Sequence, residues 1–257
     1  MRSTDLIDDL GEPVPVVGPP SRVVSLVPSL TEAVEVSAPG RLVGATDYCT
    51  HPSSLDVPRV GGSKYPKLDQ VLALAPDLVL ANSEENRPED VQRLRANGIP
   101  VFVMAAAASV PAALGSLRRV LTQVYDIAEP AWLVEAEELW REVAPVRFRA
   151  VVPVWRKPWI VLGRDTFAGD VLRRVGVANL YDSADERYPR PALAELLATD
   201  ADVVVLPDEP YEFTVDDGPG FFPDFRPLLV SGRYLTWYGP SLVDAHSALT
   251  RAVEELP

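Results

Sequence analysis

The stretch Asp47-Tyr48-Cys49-Thr50-His51-Pro52 gathers the only cysteine of the chain and one of its two histidines. A thiol becomes a nucleophile when a neighbouring base takes its proton, so a Cys–His pair is the first chemistry to consider. Residues two apart on one loop rarely reach that geometry, and no third group stands ready to orient the pair. Asp47, Cys49 and His51 also have the donor types of a metal site, but no strong fourth ligand accompanies them. Pocket wall or turn packing is the plainer reading, and neither a catalytic residue nor a metal ligand is assigned. His246, among Asp244, Ala245 and Ser247 on a predicted terminal helix, is expected to be exposed.

A second patch, Val154-Trp155-Arg156-Lys157-Pro158-Trp159, sets two indoles and two cations at a predicted strand end. It reads either as a stacking or anion-holding surface, or as two tryptophans packed under helices beside solvated cations. Tyr65, Tyr188, Trp237 and Tyr238 stand beside proline or glycine and are therefore expected on loops, where aromatics can line the site of a large flat ligand. Residues 163–170 open a helix after a strand without the glycine spacing of a phosphate loop. No HExxH, GxSxG or paired-carboxylate arrangement occurs. The chain is expected not to be an enzyme; an enzymatic alternative would rest on Cys49 or on the Glu84/Glu85 pair.

The chain has 257 residues, 47% hydrophobic and 24% charged, which is a soluble globular balance long enough for two lobes. A formal charge of -13 opposes phosphate backbones and anionic lipid, so nucleic-acid binding is not expected. No apolar run approaches the roughly 18–20 residues of a membrane span, so no insertion is expected. Residues 1–20 are acidic and proline-rich, with no basic stretch followed by an apolar one. They are expected to form a flexible leader, and the protein to reside in the cytoplasm.

Periodicity predicts strands over 22–27, 42–46, 77–81 and 101–104, alternating with helices over 68–74 and 89–96. Ser29-Leu30-Thr31-Glu32 has capping-box spacing, which predicts a helix from Leu30. Such alternation argues for a parallel sheet. The middle holds two helical stretches, 111–125 and 130–143, and in the second Trp132, Ala136, Leu139 and Val143 recur at helical spacing. Strands resume over 149–154, 159–163 and 202–207, with a further one expected over 234–237, before a last helix over 240–255. Residues 68–80 (LDQVLALAPDLVL) match 193–205 (LAELLATDADVVV), each reading helix, turn ending in Asp, strand. The repeat predicts two related α/β lobes with a cleft between them, into which the strand ends carry Asn82-Ser83-Glu84-Glu85-Asn86 and Asp208-Glu209-Pro210-Tyr211. The expected segments are a leader 1–20, a lobe 21–108, connecting helices 109–147 and a lobe 148–257.

The stretches RVVSLVPSLTEAV, LVGATDYCTHP and VPRVGGSKYPKLDQVLALAPDLVLANSEENRPEDVQRLRANGIPVFV are followed in order by GRDTFAGDVLRRVGVANLY, LLATDADVVVLPDEP and LTWYGPS. Together they resemble the helical-backbone, class III (TroA-like) substrate-binding proteins of ABC importers for vitamin B12, iron-siderophores and haem, with the cobalamin-binding branch nearest. The resemblance implies two α/β lobes with parallel sheets, a rigid connecting helix, and a ligand held in a shallow cleft. It places Tyr48 and Trp237 at aromatic positions of the ligand pocket and Tyr188 where the pattern has a tryptophan. Thr236 stands where the pattern is acidic, and two further pocket tryptophans fall near Ser63 and Asn82, with Tyr65 close by. Two glutamates that meet a transporter permease correspond to Asp69 and Ala194, with Glu195 one residue on.

The expected function is therefore non-enzymatic binding of cobalamin or a metal chelate. The expected contacts are Tyr48, His51, Tyr65, Ser83, Glu84, Trp155, Trp159, Tyr188, Trp237 and Tyr238. Asp69 and Glu195 are expected to dock an ABC-transporter permease. The alternatives are an enzyme working in the interlobe cleft and a scaffold that lost its ligand.

Overall fold

A computed structural model describes residues 6–256. They fall into two compact units. The first takes the chain up to Ala106, Leu114–Val134 and Tyr238–Pro240; the second takes Ala107–Ala113, Glu135–Trp237 and the chain from Ser241 onward.

In the first unit β1 (Val23–Ser25), α1 (Pro28–Ser37), β2 (Leu42–Ala45), α2 (Leu68–Ala73), β3 (Leu78–Asn82), α3 (Pro88–Ala96) and β4 (Val101–Met104) alternate. The strands form one parallel sheet in the order β2-β1-β3-β4. Every residue of β1, β3 and β4 is buried, as expected of strands that read as unbroken apolar runs. The expected capping box is corrected: α1 starts at Pro28, and no side chain caps it. Proline lacks the N–H that a first helical residue leaves unpaired, so it takes that position and moves Ser29 inside the helix.

The expectation of a flexible leader is also corrected over residues 6–20. Ile7 bridges Pro13, and the Asp9 N–H donates to Val103 O at the edge strand β4. The buried Asp8 carboxylate accepts from the Leu10, Glu12 and Val103 N–H groups and from Arg95 at 2.6 Å. Asp9 accepts from Ala105, Ser116 and Arg119. The residues that made the leader look unstructured, its acids, are the ones that pin it. Residues 1–5 lie outside the described part.

Helix α4 (Val110–Arg119) runs into a π turn, Val120–Val124, and α5 spans Ala131–Leu139. The division between units falls inside both helices, after Ala113 and after Val134. The buried stripe beside α5 is Leu133, Ala136 and Trp140, not the expected Trp132, Leu139 and Val143. An indole N–H goes deep only where it finds an acceptor. Trp140 donates to Leu242 O at 2.8 Å, while Trp132, half-buried, donates to the Ser37 hydroxyl.

In the second unit the order is β5 (Phe148–Val151), β6 (Pro153–Trp155), β7 (Ile160–Val161), α6 (Phe167–Arg174), β8 (Val177–Asn179), α7 (Leu193–Leu197), β9 (Val203–Pro207), β10 (Arg226–Val230), α8 (Gly232–Thr236) and α9 (Ser241–Glu254). Strands β6 and β7 form a hairpin. The rest make a parallel sheet, β10-β9-β5-β8. Read from its other edge, β8-β5-β9-β10, this is the order of the first unit, so the repeat copies fall on equivalent elements, α2–β3 and α7–β9. The strand expected over 234–237 is instead α8 and its C-terminal residue. Too short to show a period, that window folds as a turn of helix once Asp208 accepts from the Gly232 N–H at 2.6 Å. Strand β10 escaped notice because Pro227 interrupts it, which only an edge strand tolerates. Among the described residues no helix is long and apolar enough to cross a membrane.

Candidate functional site

Ligands of parallel α/β sheets gather at the carboxyl ends of the strands, so those ends define the candidate surface of each unit. In the first unit the turn after β2 is held from within. The Cys49 thiol is buried between the Thr31 and Thr46 hydroxyls, at 3.0 and 3.1 Å. Burial pushes that thiol above its ordinary value, which disfavours the thiolate. Arg59 staples the turn by donating to the Thr46, Cys49 and Leu55 carbonyls. The turn thereby shows solvent the Tyr48 ring, 65% exposed, with Gly62 close beneath its edge. His51, half-buried, shares a hydrogen bond with the Thr50 hydroxyl at 3.0 Å. Among the described residues no group of three or more His, Cys, Asp or Glu is arranged to hold a metal ion.

Tyr65 is 71% exposed, and its ring carries the Arg87 guanidinium 4.7 Å from its centre. Asp90 grips Arg87 through two hydrogen bonds, at 2.8 and 2.9 Å. Past β3, residues 82–86 form a turn closed by two amides. Asn86, buried, accepts from the Asn82 N–H and donates to the Leu26 and Ser63 carbonyls. Asn82 accepts from the Glu84 N–H and donates to the Tyr238 hydroxyl at 2.8 Å. Ser83 is exposed and accepts from the Ala106 N–H; Lys64 donates to the carbonyl of half-buried Glu84.

In the second unit the hairpin β6–β7 separates its two tryptophans. Trp155 is 41% exposed and meets Tyr211 edge-on at 5.5 Å. Trp159 turns inward, stacked on Phe213 and edge-on to Phe221 and Phe222. Lys157 is exposed, as expected of a solvated cation, but the expectation that Arg156 is solvated is corrected: it donates to the Tyr211 hydroxyl, pairs with Asp217 at 3.1 Å and lies over the Phe221 ring. Tyr188 stands half-exposed on a loop laid against Gly163, where any Cβ would sit 2.1 Å from Glu186 O.

At the end of β9, Glu209 packs against Gly232, and the Trp237 indole donates to its carboxylate. Burial first, then the Asp208 charge, push the Glu209 carboxyl above the ordinary glutamate value. Trp237 and Tyr238, both expected as ligand contacts, are buried. Each has a polar tip whose partner lies inside its own unit, Glu209 for Trp237 and Asn82 for Tyr238. His246 is likewise half-buried, edge-on to Trp140 at 5.0 Å, rather than exposed.

The pattern of a known family, described as periplasmic binding protein, matches residues 23–216, most of both sheets. The chain belongs to the periplasmic binding protein family. It is 22% identical to a vitamin B12-binding protein of Vibrio campbellii over 206 residues, covering 73% of this chain and 70% of that one. A periplasmic heme binding protein from Pseudomonas aeruginosa has a similar fold, with a TM-score of 0.74, 26% identity, and coverage of 91% and 92% of the two chains. So has Helicobacter pylori Ceue with Ni(II) bound, with a TM-score of 0.77, 13% identity, and coverage of 98% and 91%.

Both carboxylates expected to dock a permease are engaged within the chain. Asp69 is exposed and accepts from Arg93 at 2.7 Å. Glu195 reaches back to the Ala192 N–H at 2.8 Å and closes the first turn of α7. Sequence reasoning placed Asn86 at a strand end but missed Arg59 and Arg87, because the loop carbonyls and the tyrosine ring they engage carry no motif of their own. The signal for Asn86 was a short polar residue just past a buried strand.

Proposed function

We propose that this protein is a non-enzymatic binder of a bulky, flat ligand, a corrinoid, a haem or another metal chelate. The observation that carries the reading is the set of large aromatic rings held exposed near strand ends: Tyr48 and Tyr65 in the first unit, Trp155 and Tyr188 in the second. Each of the first three has a close neighbour: Gly62 at the edge of Tyr48, Arg87 over Tyr65 and Tyr211 edge-on to Trp155. Aromatic faces ordered before the ligand arrives lose little freedom on binding. His51, Ser83 and Glu84 lie on the neighbouring loops and supply polar contacts in this proposal. The names of the relatives support the ligand class, since they bind vitamin B12 and heme.

The burial of Cys49 and its raised thiol speak against the enzymatic alternative that relied on it. Delivery to an ABC-transporter permease belongs to the same proposal, with Asp69 and Glu195 as its contacts; a partner would have to displace Arg93 and the Ala192 N–H. Titration of cyanocobalamin, hemin and a ferric siderophore against the purified protein tests the ligand class. At least one should bind with a Kd well below about 1 mM, a binding free energy beyond about −4 kcal/mol. If none does, the scaffold that lost its ligand becomes the better account.

A further inference from the structure

Glu209 sits where the chain leaves β9, and its surroundings are unusually close. A Cβ placed on Gly232 would lie 2.3 Å from Glu209 Cγ and 2.6 Å from its carbonyl oxygen, so only glycine lets α8 approach this far. Asp208 holds the same contact by accepting from the Gly232 N–H at 2.6 Å. Helix α8 then carries Arg233, whose guanidinium lies 5.6 Å from the Trp237 ring centre, and Trp237 follows directly after the helix. One Glu209 oxygen, Oε1, is buried with no hydrogen-bond partner, while the carboxylate accepts from the Trp237 indole. The charged groups acting on this carboxyl are Asp208 from the end of β9 and Arg233 from α8.

We propose that Glu209 is a positioning residue for Trp237, a latch that holds the indole when charged and loosens it when protonated. Trp237 follows directly after α8 and ends its run of the second unit. Three features carry the proposal: the glycine-enforced approach, the bond from indole to carboxylate, and a buried carboxylate oxygen left without a partner. A charge-assisted hydrogen bond is roughly twice as strong as its neutral counterpart, so protonation weakens the hold on the ring. Burial and Asp208 already favour the protonated form, which brings the transition closer to neutral pH than for an exposed glutamate. Resting on the ligand-binding reading above, with Trp237 added to its contacts as the sequence led us to expect, this makes ligand capture weaken in mild acid.

The full chain with indole-labelled tryptophan, followed by NMR from about pH 7.5 to about pH 4.5, tests the latch without a ligand. The Trp237 Nε1–H signal, assigned with Trp237→Phe, should titrate in the wild type and stay flat in Glu209→Gln, which keeps the shape and an acceptor but has no charge to lose. A flat wild-type signal, or the same titration in Glu209→Gln, overturns the proposal. A second arm measures cyanocobalamin binding over the same range. Wild-type affinity should fall by up to about tenfold per pH unit through the transition, and that of Glu209→Gln by less than about twofold. If the probe binds and the two proteins show the same pH dependence, the link to capture is overturned. If it binds neither protein at any pH while Trp237 titrates, the latch stands and the corrinoid reading falls.

Discussion

The ends of β3 and β9 occupy equivalent positions in the two units, at the close of the two repeat copies, yet they are finished differently. After β3, two amides, Asn82 and Asn86, take up backbone groups and the Tyr238 hydroxyl, with both ends of each amide in use. After β9 the same task falls to two acids, and Glu209 keeps one buried oxygen without a partner. Amides do not titrate, so the first strand end is a fixed frame at any ordinary pH. Carboxylates do, so the second exchanges some stability for sensitivity to protons. An unchanged topology thus tolerates opposite solutions at the place where function is expected.

The strongest way to break this contrast is to empty the amide frame. Asn86→Ala removes a buried side chain that makes three hydrogen bonds and should destabilise the protein by about 3 kcal/mol in urea unfolding. A loss under about 1 kcal/mol would mean that water replaces the amide and the frame is not fixed. Gly232→Ala comes next. Its Cβ would fall within 2.7 Å of three Glu209 atoms, two of them backbone, so a loss of about 2 kcal/mol is expected. Gly62→Ala faces a ring edge at 3.3 Å and should lose less than about 0.5 kcal/mol while tilting Tyr48. Equal losses in the two variants would remove the argument for a glycine-enforced approach.

The helices of the repeat sharpen the contrast on a smaller scale. Glu195→Ala removes a bond to a helix-start N–H and should lose about 1 kcal/mol. Asp69→Ala removes only an exposed ion pair and should lose less than about 0.5 kcal/mol, less still in high salt. Thermal unfolding of both variants at two salt concentrations separates them, and a salt-insensitive loss at Asp69 would contradict the exposed-pair reading.

The smallest effect should appear in a slope rather than in a size. A carboxyl raised in the folded protein, as Glu209 is, binds its proton more tightly there than in the unfolded chain. Its contribution to stability is fully present below the ordinary glutamate value and is lost as the pH rises through the folded value. Glu209→Gln should therefore have a higher Tm than the wild type near neutral pH, with the difference closing toward acid. A difference that widens toward acid would mean that the carboxylate is stabilised in the fold, contrary to its surroundings.

Repeat, strand periodicity and apolar runs such as 78–82 made the two parallel sheets legible in the sequence, because burial on both faces leaves a local mark on each strand. The exposed Tyr65 and Tyr188 were legible for a related reason: a large aromatic beside proline is already a loop residue. The leader and α8 were not. Whether Asp8 and Asp9 are solvated or pinned depends on Arg95, Ser116 and Arg119, which stand some 90 to 110 residues away. Local composition carries no trace of such partners.

By itself, then, the sequence determined which segments are buried strands, that two units share one plan, and which aromatics border the strand ends. All of these follow from interactions among near neighbours in the chain and from the hydrophobic effect acting on short patterns. Only the tertiary structure decided which aromatics remain available. Tyr48 and Tyr65 stay exposed because Arg59 and Arg87 brace the loops that carry them. Trp237 and Tyr238 are buried, where Glu209 and Asn82 offer their polar tips a partner. The physical reason is that an indole or phenol can be equally well satisfied in water or inside a protein. The choice between the two belongs to whichever distant residue the fold brings within hydrogen-bonding reach.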